Sequence, residues 1–148
     1  MRSLGLDVGT KTVGVAISDP MGWTAQGLTT VRRQNFVKDL AALKALADEH
    51  QAVRWVVGLP LNMDGSHGPQ AEFVEDFMAR LAKICPIPAV YIDERLSSKQ
   101  AQRSMMDAGM RRDKRKAMID EQAAMVILQI YLDRERYQAQ QAARDATD

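Results

Sequence analysis

The apolar positions of the chain fall into two rhythms. Residues 3–7 form a short apolar run and residues 13–19 alternate, which predicts two strands joined through the turn Val8-Gly9-Thr10-Lys11-Thr12. So short a Gly/Thr/Lys connection makes the pair an antiparallel hairpin. Pro20-Met21-Gly22 breaks the pattern, and residues 27–31, rich in Thr and Leu, predict a third strand. The rhythm then changes. Phe36, Leu40, Leu43 and Ala47 recur at helical spacing, with Val37 and Leu46 widening the stripe. Residues 53–58 predict a fourth strand, followed by a loop over 59–68 that holds the turn formers Pro60, Asn62, Asp64, Gly65 and Gly68. Pro69 suits the first turn of a second helix, whose stripe is Phe73, Val74, Phe77, Met78 and Leu81. Residues 89–93 predict a fifth strand. Ser97 and Gln100 have the spacing of a capping box, so a third helix is expected to start there and to stop at Gly109. A basic loop follows. The last helix is expected from about residue 119 to 137, with Ala123, Val126, Ile127 and Ile130 on its core face, and a polar tail over 138–148 is expected to fray.

Three hairpin-connected strands followed by strands alternating with helices predict an α/β fold. Its sheet is mixed and five-stranded, three strands antiparallel and the rest parallel, with helices on its faces. With 148 residues and no internal repeat or linker, the chain is expected to be one domain over residues 1–137 plus the tail. The lone Cys85 excludes an intramolecular disulfide, fits a reducing compartment and reads as a buried structural residue. The N-terminus lacks the apolar stretch of a signal peptide and no run is long enough to span a membrane. A cytoplasmic protein is expected, with no membrane partner.

The acids carry the chemistry. Asp7 ends the first strand inside LGLDVG, Glu94 follows the fifth strand in VYIDER, and Asp120 opens the last helix in AMIDEQAA. Each has an ordinary alternative. Asp7 could initiate the turn before Gly9, Asp120 could favour a helix start through the helix dipole, and Glu94 could pair with Arg95 or Arg103. Asp93 rivals Glu94, because strand alternation points one of them at the site and the other away. Jointly, however, three carboxylates at the ends of three elements repel one another unless a cation sits between them. An all-oxygen set suits Mg²⁺ or Mn²⁺ rather than zinc, and only His50 and His67 are available for the latter.

Net charge is only +1, yet Arg111, Arg112, Lys114, Arg115 and Lys116 crowd into six residues with one Asp among them. Such a run is either a solvated face or, beside a metal site, a clamp on phosphates. Lys11 with the amides of its turn could meet a phosphate, or could be a solvated hairpin lysine. Asn62 could orient substrate or water, or simply form a turn. Arg95 is the other cation near the acids assigned to the nucleic-acid surface. Trp23 could stack on a base, against the simpler reading of a half-buried loop residue.

Four segments, LGLDVGTKTVGVAISD, VVGLPLNMDGSHGPQA, VYIDERLSS and KAMIDEQAAMVIL, together resemble the YqgF family. These bacterial proteins are described as pre-16S ribosomal RNA nucleases and as Holliday junction resolvase-like proteins. The resemblance runs from about residue 3 to residue 133, in the expected order, with no departure at the three acids. It implies a ribonuclease H-like fold, metal-dependent phosphodiester hydrolysis in maturing the 5′ end of small-subunit ribosomal RNA, and metal-ligating positions at Asp7, Glu94 and Asp120. The expected partner is therefore nucleic acid, precursor ribosomal RNA ahead of branched DNA, handled by a monomer or weak homodimer. Two other classes stay open. LGLDVGTKT also resembles the phosphate loop of sugar kinases and chaperone ATPases, and the chain could be an RNA-binding assembly factor without catalysis.

Overall fold

The computed structural model describes residues 1–96 and 112–147. In chain order the elements are β1 (Arg2–Val8), β2 (Thr12–Ser18), β3 (Ala25–Arg32), α1 (Phe36–His50), β4 (Ala52–Leu59), α2 (Pro69–Ile84), β5 (Ala89–Asp93), a single 3₁₀ turn (Glu94–Leu96) and α3 (Arg112–Thr147). The five strands form one sheet in the order β3-β2-β1-β4-β5. The β1–β2 and β2–β3 pairs are antiparallel, and β1–β4 and β4–β5 are parallel. The expected mixed sheet is therefore present, with β1 at its centre.

Strand alternation sorts the sheet into two apolar faces. Leu4, Leu6 and Val8 of β1, Val13 and Val15 of β2, and Trp55, Val57 and Leu59 of β4 pack against Leu40, Leu43, Phe77 and Leu81 of α1 and α2. On the other face Ala16, Val56 and Ile92 meet Ala124, Ile127, Leu128 and Tyr131 of α3. α1 starts where the Asn35 side chain accepts a hydrogen bond from the Lys38 amide, and it ends at Gln51, whose left-handed φ of 54° stops the helix. α2 starts at Pro69, as the sequence predicts.

The last helix departs from expectation at both ends. It begins at Arg112, so the basic run after Arg111 lies in the first turns of α3 and not in a loop. It also continues to Thr147, past residue 137. The reason is local. From Arg112 to Thr147 the chain has no Gly or Pro and is rich in Ala, Arg and Gln, all good helix formers. The helix expected over residues 97–109, and Arg111 itself, lie outside the described residues. Among the described residues no helix is long and apolar enough to cross a membrane.

α3 lies unusually close to the sheet because the positions beneath it are small. A Cβ on Gly5 would sit 2.7 Å from the Ala124 carbonyl oxygen, and one on Gly14 would collide with the Asp120 carbonyl. Gly5 pairs with Ala16, and Asp7 pairs with Gly14, so these residues form a shallow trough across β1 and β2. Midway along its length α3 is tied down by Gln129, whose Oε1 accepts from the Ala25 amide at 2.8 Å and whose Nε2 donates to the Trp23 carbonyl at 3.0 Å.

Candidate active site

The same alternation that sends Leu4, Leu6 and Val8 into one core sends Asp7 to the face covered by α3. There it is largely enclosed. Its carboxyl is pushed up to about 9 from the ordinary 3.8, first by burial, then by a hydrogen bond to the Glu94 carboxylate and by the charges of Glu94 and Asp120. Asp7 thus keeps a proton at neutral pH, first because it is buried and then because two other acids crowd it. The structure brings the three candidate acids together.

Glu94 reaches Asp7 across β4. The strands β1 and β5 flank β4, and the residue beneath the crossing is Gly58. A Cβ there would stand 3.2 Å from Glu94 Oε1 and 2.5 Å from the Ile127 side chain. The rivalry with Asp93 is resolved by Arg95. Its Nε donates to Asp93 Oδ2 at 2.9 Å and one terminal nitrogen donates to the same oxygen at 2.6 Å. Those bonds hold the Asp93 carboxyl below its usual range. One neighbouring carboxylate is therefore neutralised by an arginine while Glu94 is left for Asp7.

Asp120 arrives from the third turn of α3, not from its first residue. Its Oδ2 accepts a hydrogen bond from the Thr12 hydroxyl. Contact of the helix backbone with Gly14 and the Thr12 bond fix the height and rotation of this turn above the hairpin. Among the described residues no three His, Cys, Asp or Glu side chains are placed closely enough to hold a metal ion as they stand. What is present is a hydrogen-bonded carboxyl pair with a third carboxylate held nearby by a threonine.

Lys11, Asn62 and Arg95 occupy the same end of the sheet. Lys11 sits exposed on the β1–β2 turn, which is closed by the Gly9 amide donating to the Thr12 carbonyl at 2.9 Å. Asn62 organises its own loop. Its side-chain nitrogen donates to Ser66 Oγ at 2.9 Å and its carbonyl accepts from the Gly65 amide at 2.8 Å. Arg95 braces that loop by donating to the Met63 carbonyl at 3.0 Å. The side chains of Arg112, Lys114, Arg115 and Lys116 lie outside the described ones. Trp23 is at the opposite end, in the turn between β2 and β3, 52% exposed with the Arg136 guanidinium 5.1 Å from its ring.

Sequence reasoning passed over Arg33 and Asp39. Asp39 is only 2% exposed, and Arg33 Nε donates to it at 3.1 Å while a terminal nitrogen donates to the Gly9 carbonyl at 3.2 Å. The guanidinium lies about 5 Å from the rings of Phe36, Phe73 and Phe77. This buried pair anchors the hairpin turn that carries Lys11. An Asp in the first turn of α1 reads as a helix-dipole residue, and nothing local distinguishes it from one.

A Moorella thermoacetica protein named "Putative pre-16S rRNA nuclease" is 54% identical over 134 residues, covering 90% of this chain and 96% of its own. A Myxococcus xanthus protein of the same name is 51% identical over 136 residues, covering 92% and 90%. In fold, the chain is similar to Thermus thermophilus RuvC in complex with a Holliday junction substrate, with a TM-score of 0.57 at 12% identity and coverage of 91% and 96%. It is also similar to the fowlpox virus Holliday junction resolvase, with a TM-score of 0.53 at 12% identity and coverage of 90% and 99%. These likenesses establish the ribonuclease H-like architecture. The model of the family described as RuvX, Holliday junction resolvase, matches residues 1–134, a span that holds all three acids, and the chain belongs to that RuvX (YqgF) family.

Proposed function

We propose that this chain is a divalent-metal-dependent nuclease that hydrolyses phosphodiester bonds in maturing the 5′ end of 16S ribosomal RNA. The observation that carries the reading is the meeting of Asp7, Glu94 and Asp120 from the end of β1, the end of β5 and the third turn of α3. A domain does not bury a carboxyl against two others for stability, since each added charge raises the cost of the rest. In donor type the set suits a hard cation. It is all oxygen, and its shared proton is the group a cation would replace.

Asp7, central among the three, would anchor Mg²⁺ or Mn²⁺, with Glu94 and Asp120 completing the protein's share of the ligands. A bound divalent ion supplies an activated water and offsets charge on the leaving oxygen. Thr12 keeps Asp120 in place, and Gly58 leaves Glu94 room to lie across β4. Lys11, Arg111, Arg112, Lys114, Arg115 and Lys116 would hold the nucleic-acid backbone, positioning the substrate without reading its sequence. Arg95 and Asn62 shape the loop over 60–68 at the edge of that surface. Relatives named for pre-16S rRNA support the ribosomal substrate. Work on such a precursor would take place in the cytoplasm, where the buried free thiol of Cys85 is at home.

The family's description favours a second reading, resolution of four-way DNA junctions, which needs a symmetric dimer to make paired cuts. One assay separates the two. A precursor 16S RNA fragment and a synthetic four-way junction are incubated with Mg²⁺ or Mn²⁺ and either the intact protein or Asp7→Asn. Metal-dependent cutting of the RNA, lost in Asp7→Asn, is expected. Paired nicks in the junction alone would reverse the assignment, and no cutting of either by the intact protein would remove the nuclease reading.

A further inference from the structure

Beside the acids lies a cavity of about 420 Å³, lined among others by Val8, Gly9, Thr10, Gln70, Phe73 and Glu94. Its walls are apolar, from Val8, Phe73 and the neighbouring prolines Pro60 and Pro69, and its polar groups come from Thr10, Gln70 and Glu94. Glu94 belongs to both the cavity and the carboxyl pair. A group filling the cavity is therefore within one nucleotide of a phosphate at the acids.

We propose that this cavity binds one unpaired nucleobase of the substrate strand, next to the scissile phosphate, with Phe73 as its stacking surface and Gln70 as the residue that reads its edge. The inference rests on the nuclease reading above and adds the strand's required state. The volume falls within the range of roughly 300–1,000 Å³ typical of small-ligand pockets. That is ample room for a base and its sugar, and a base with both faces covered inside a helix has none left to lay on Phe73. A base could enter only from a single strand, or after leaving its helix.

The chemistry of the lining points the same way. Phosphates alone would call for cations, and the described lining has none. A flat heteroaromatic ring fits an apolar slot with a phenyl wall, because base–aromatic stacking is insensitive to sequence and strong for its size. Phe73 is kept in place by Arg33, whose guanidinium is 5.3 Å from its ring centre. Gln70, exposed in the first turn of α2, carries an amide that can both donate and accept, the arrangement that pairs bidentately with adenine. α2 has no capping side chain at this end, so the positive end of its dipole stays available to the nucleotide.

The test uses the full chain carrying Asp7→Asn, so that the strand stays intact, and a single-stranded RNA trinucleotide with 2-aminopurine in the middle. Its fluorescence should quench on binding. Unlabelled trinucleotides with A, C, U or no base at the middle position then compete. The abasic competitor should be weaker by about tenfold or more, in line with the loss of one stacked base. Phe73→Leu should remove that difference while leaving abasic binding unchanged, and Gln70→Ala should level the preference among A, C and U. Equal competition by abasic and base-carrying strands overturns the proposal. So does equal competition by the same sequence as an RNA duplex, or free adenosine binding as tightly as the trinucleotide. Cleavage is scored separately in the assay above. A base-dependent affinity in a protein that cuts nothing would keep the pocket and sink the nuclease, and cleavage without base dependence would do the reverse.

Discussion

The protonated Asp7 makes the stability of the metal-free protein depend on pH in a definite direction. An ordinary aspartate, as in the unfolded chain, loses its proton near 3.8, whereas in the fold Asp7 holds it up to about 9. Between those values unfolding releases a proton, so stability falls as pH rises through that window and levels off above it. At pH 7, with about 1.4 kcal/mol for each pH unit above 3.8, the penalty has a ceiling of about 4 kcal/mol. Small rearrangements and entering water soften such penalties, so about 1–2 kcal/mol is the realistic share. Asp7→Asn copies the neutral form in size and can still donate to Glu94. It should therefore be no more stable than the wild type near pH 4, and more stable by about 1–2 kcal/mol near pH 7–8. Urea unfolding with a chelator present, at four or five pH values, measures both curves. A difference that stays constant with pH, or a variant less stable at pH 7, would refute the claim that burial and the neighbouring acids strain the Asp7 charge. Added Mg²⁺ or Mn²⁺ should narrow the gap by stabilising the wild type more.

Three further outcomes are expected. Gly58→Ala should cut cleavage at least tenfold while shifting stability by about 1–3 kcal/mol, because its methyl meets the Ile127 side chain and Glu94; kinetics and melting of the same sample read both. Thr12→Val removes the hydroxyl that holds Asp120 and should lower the rate with little change in RNA affinity, whereas Thr12→Ser should restore it. Replacing Arg111, Arg112 and Arg115 together by Ala should weaken binding of unrelated sequences alike. It should also flatten the salt dependence by about two to three units on a duplex, and an unchanged slope in a labelled-RNA titration would mark the run as a solvated face.

Most of the secondary structure was legible in the sequence because it depends on near neighbours. The alternation of residues 13–19, the stripe from Phe36 to Ala47 and the Pro69 start need no distant contact to be read. The start of α3 was misplaced for the opposite reason. Charge density at residues 111–116 suggested a loop, while the helix propensity of the same Arg and Lys residues decided otherwise.

The candidate site divides along the same line. The chain order and residue types of Asp7, Glu94 and Asp120 were visible, as was the resemblance their segments carry. Which of Asp93 and Glu94 turns inward was not, because the answer lies in Arg95 and in a glycine on the neighbouring strand. The pairing of β4 between β1 and β5 is set by the whole sheet, and only that pairing makes Gly58 a crossing point for Glu94. Likewise Gly5 and Gly14 look like weak strand positions until α3 settles into the trough they leave. Local sequence specifies elements through short-range sterics and periodicity. A buried carboxyl's proton, a helix's height above a sheet and a cavity beside them come from packing between segments far apart in the chain, and tertiary structure alone decides those.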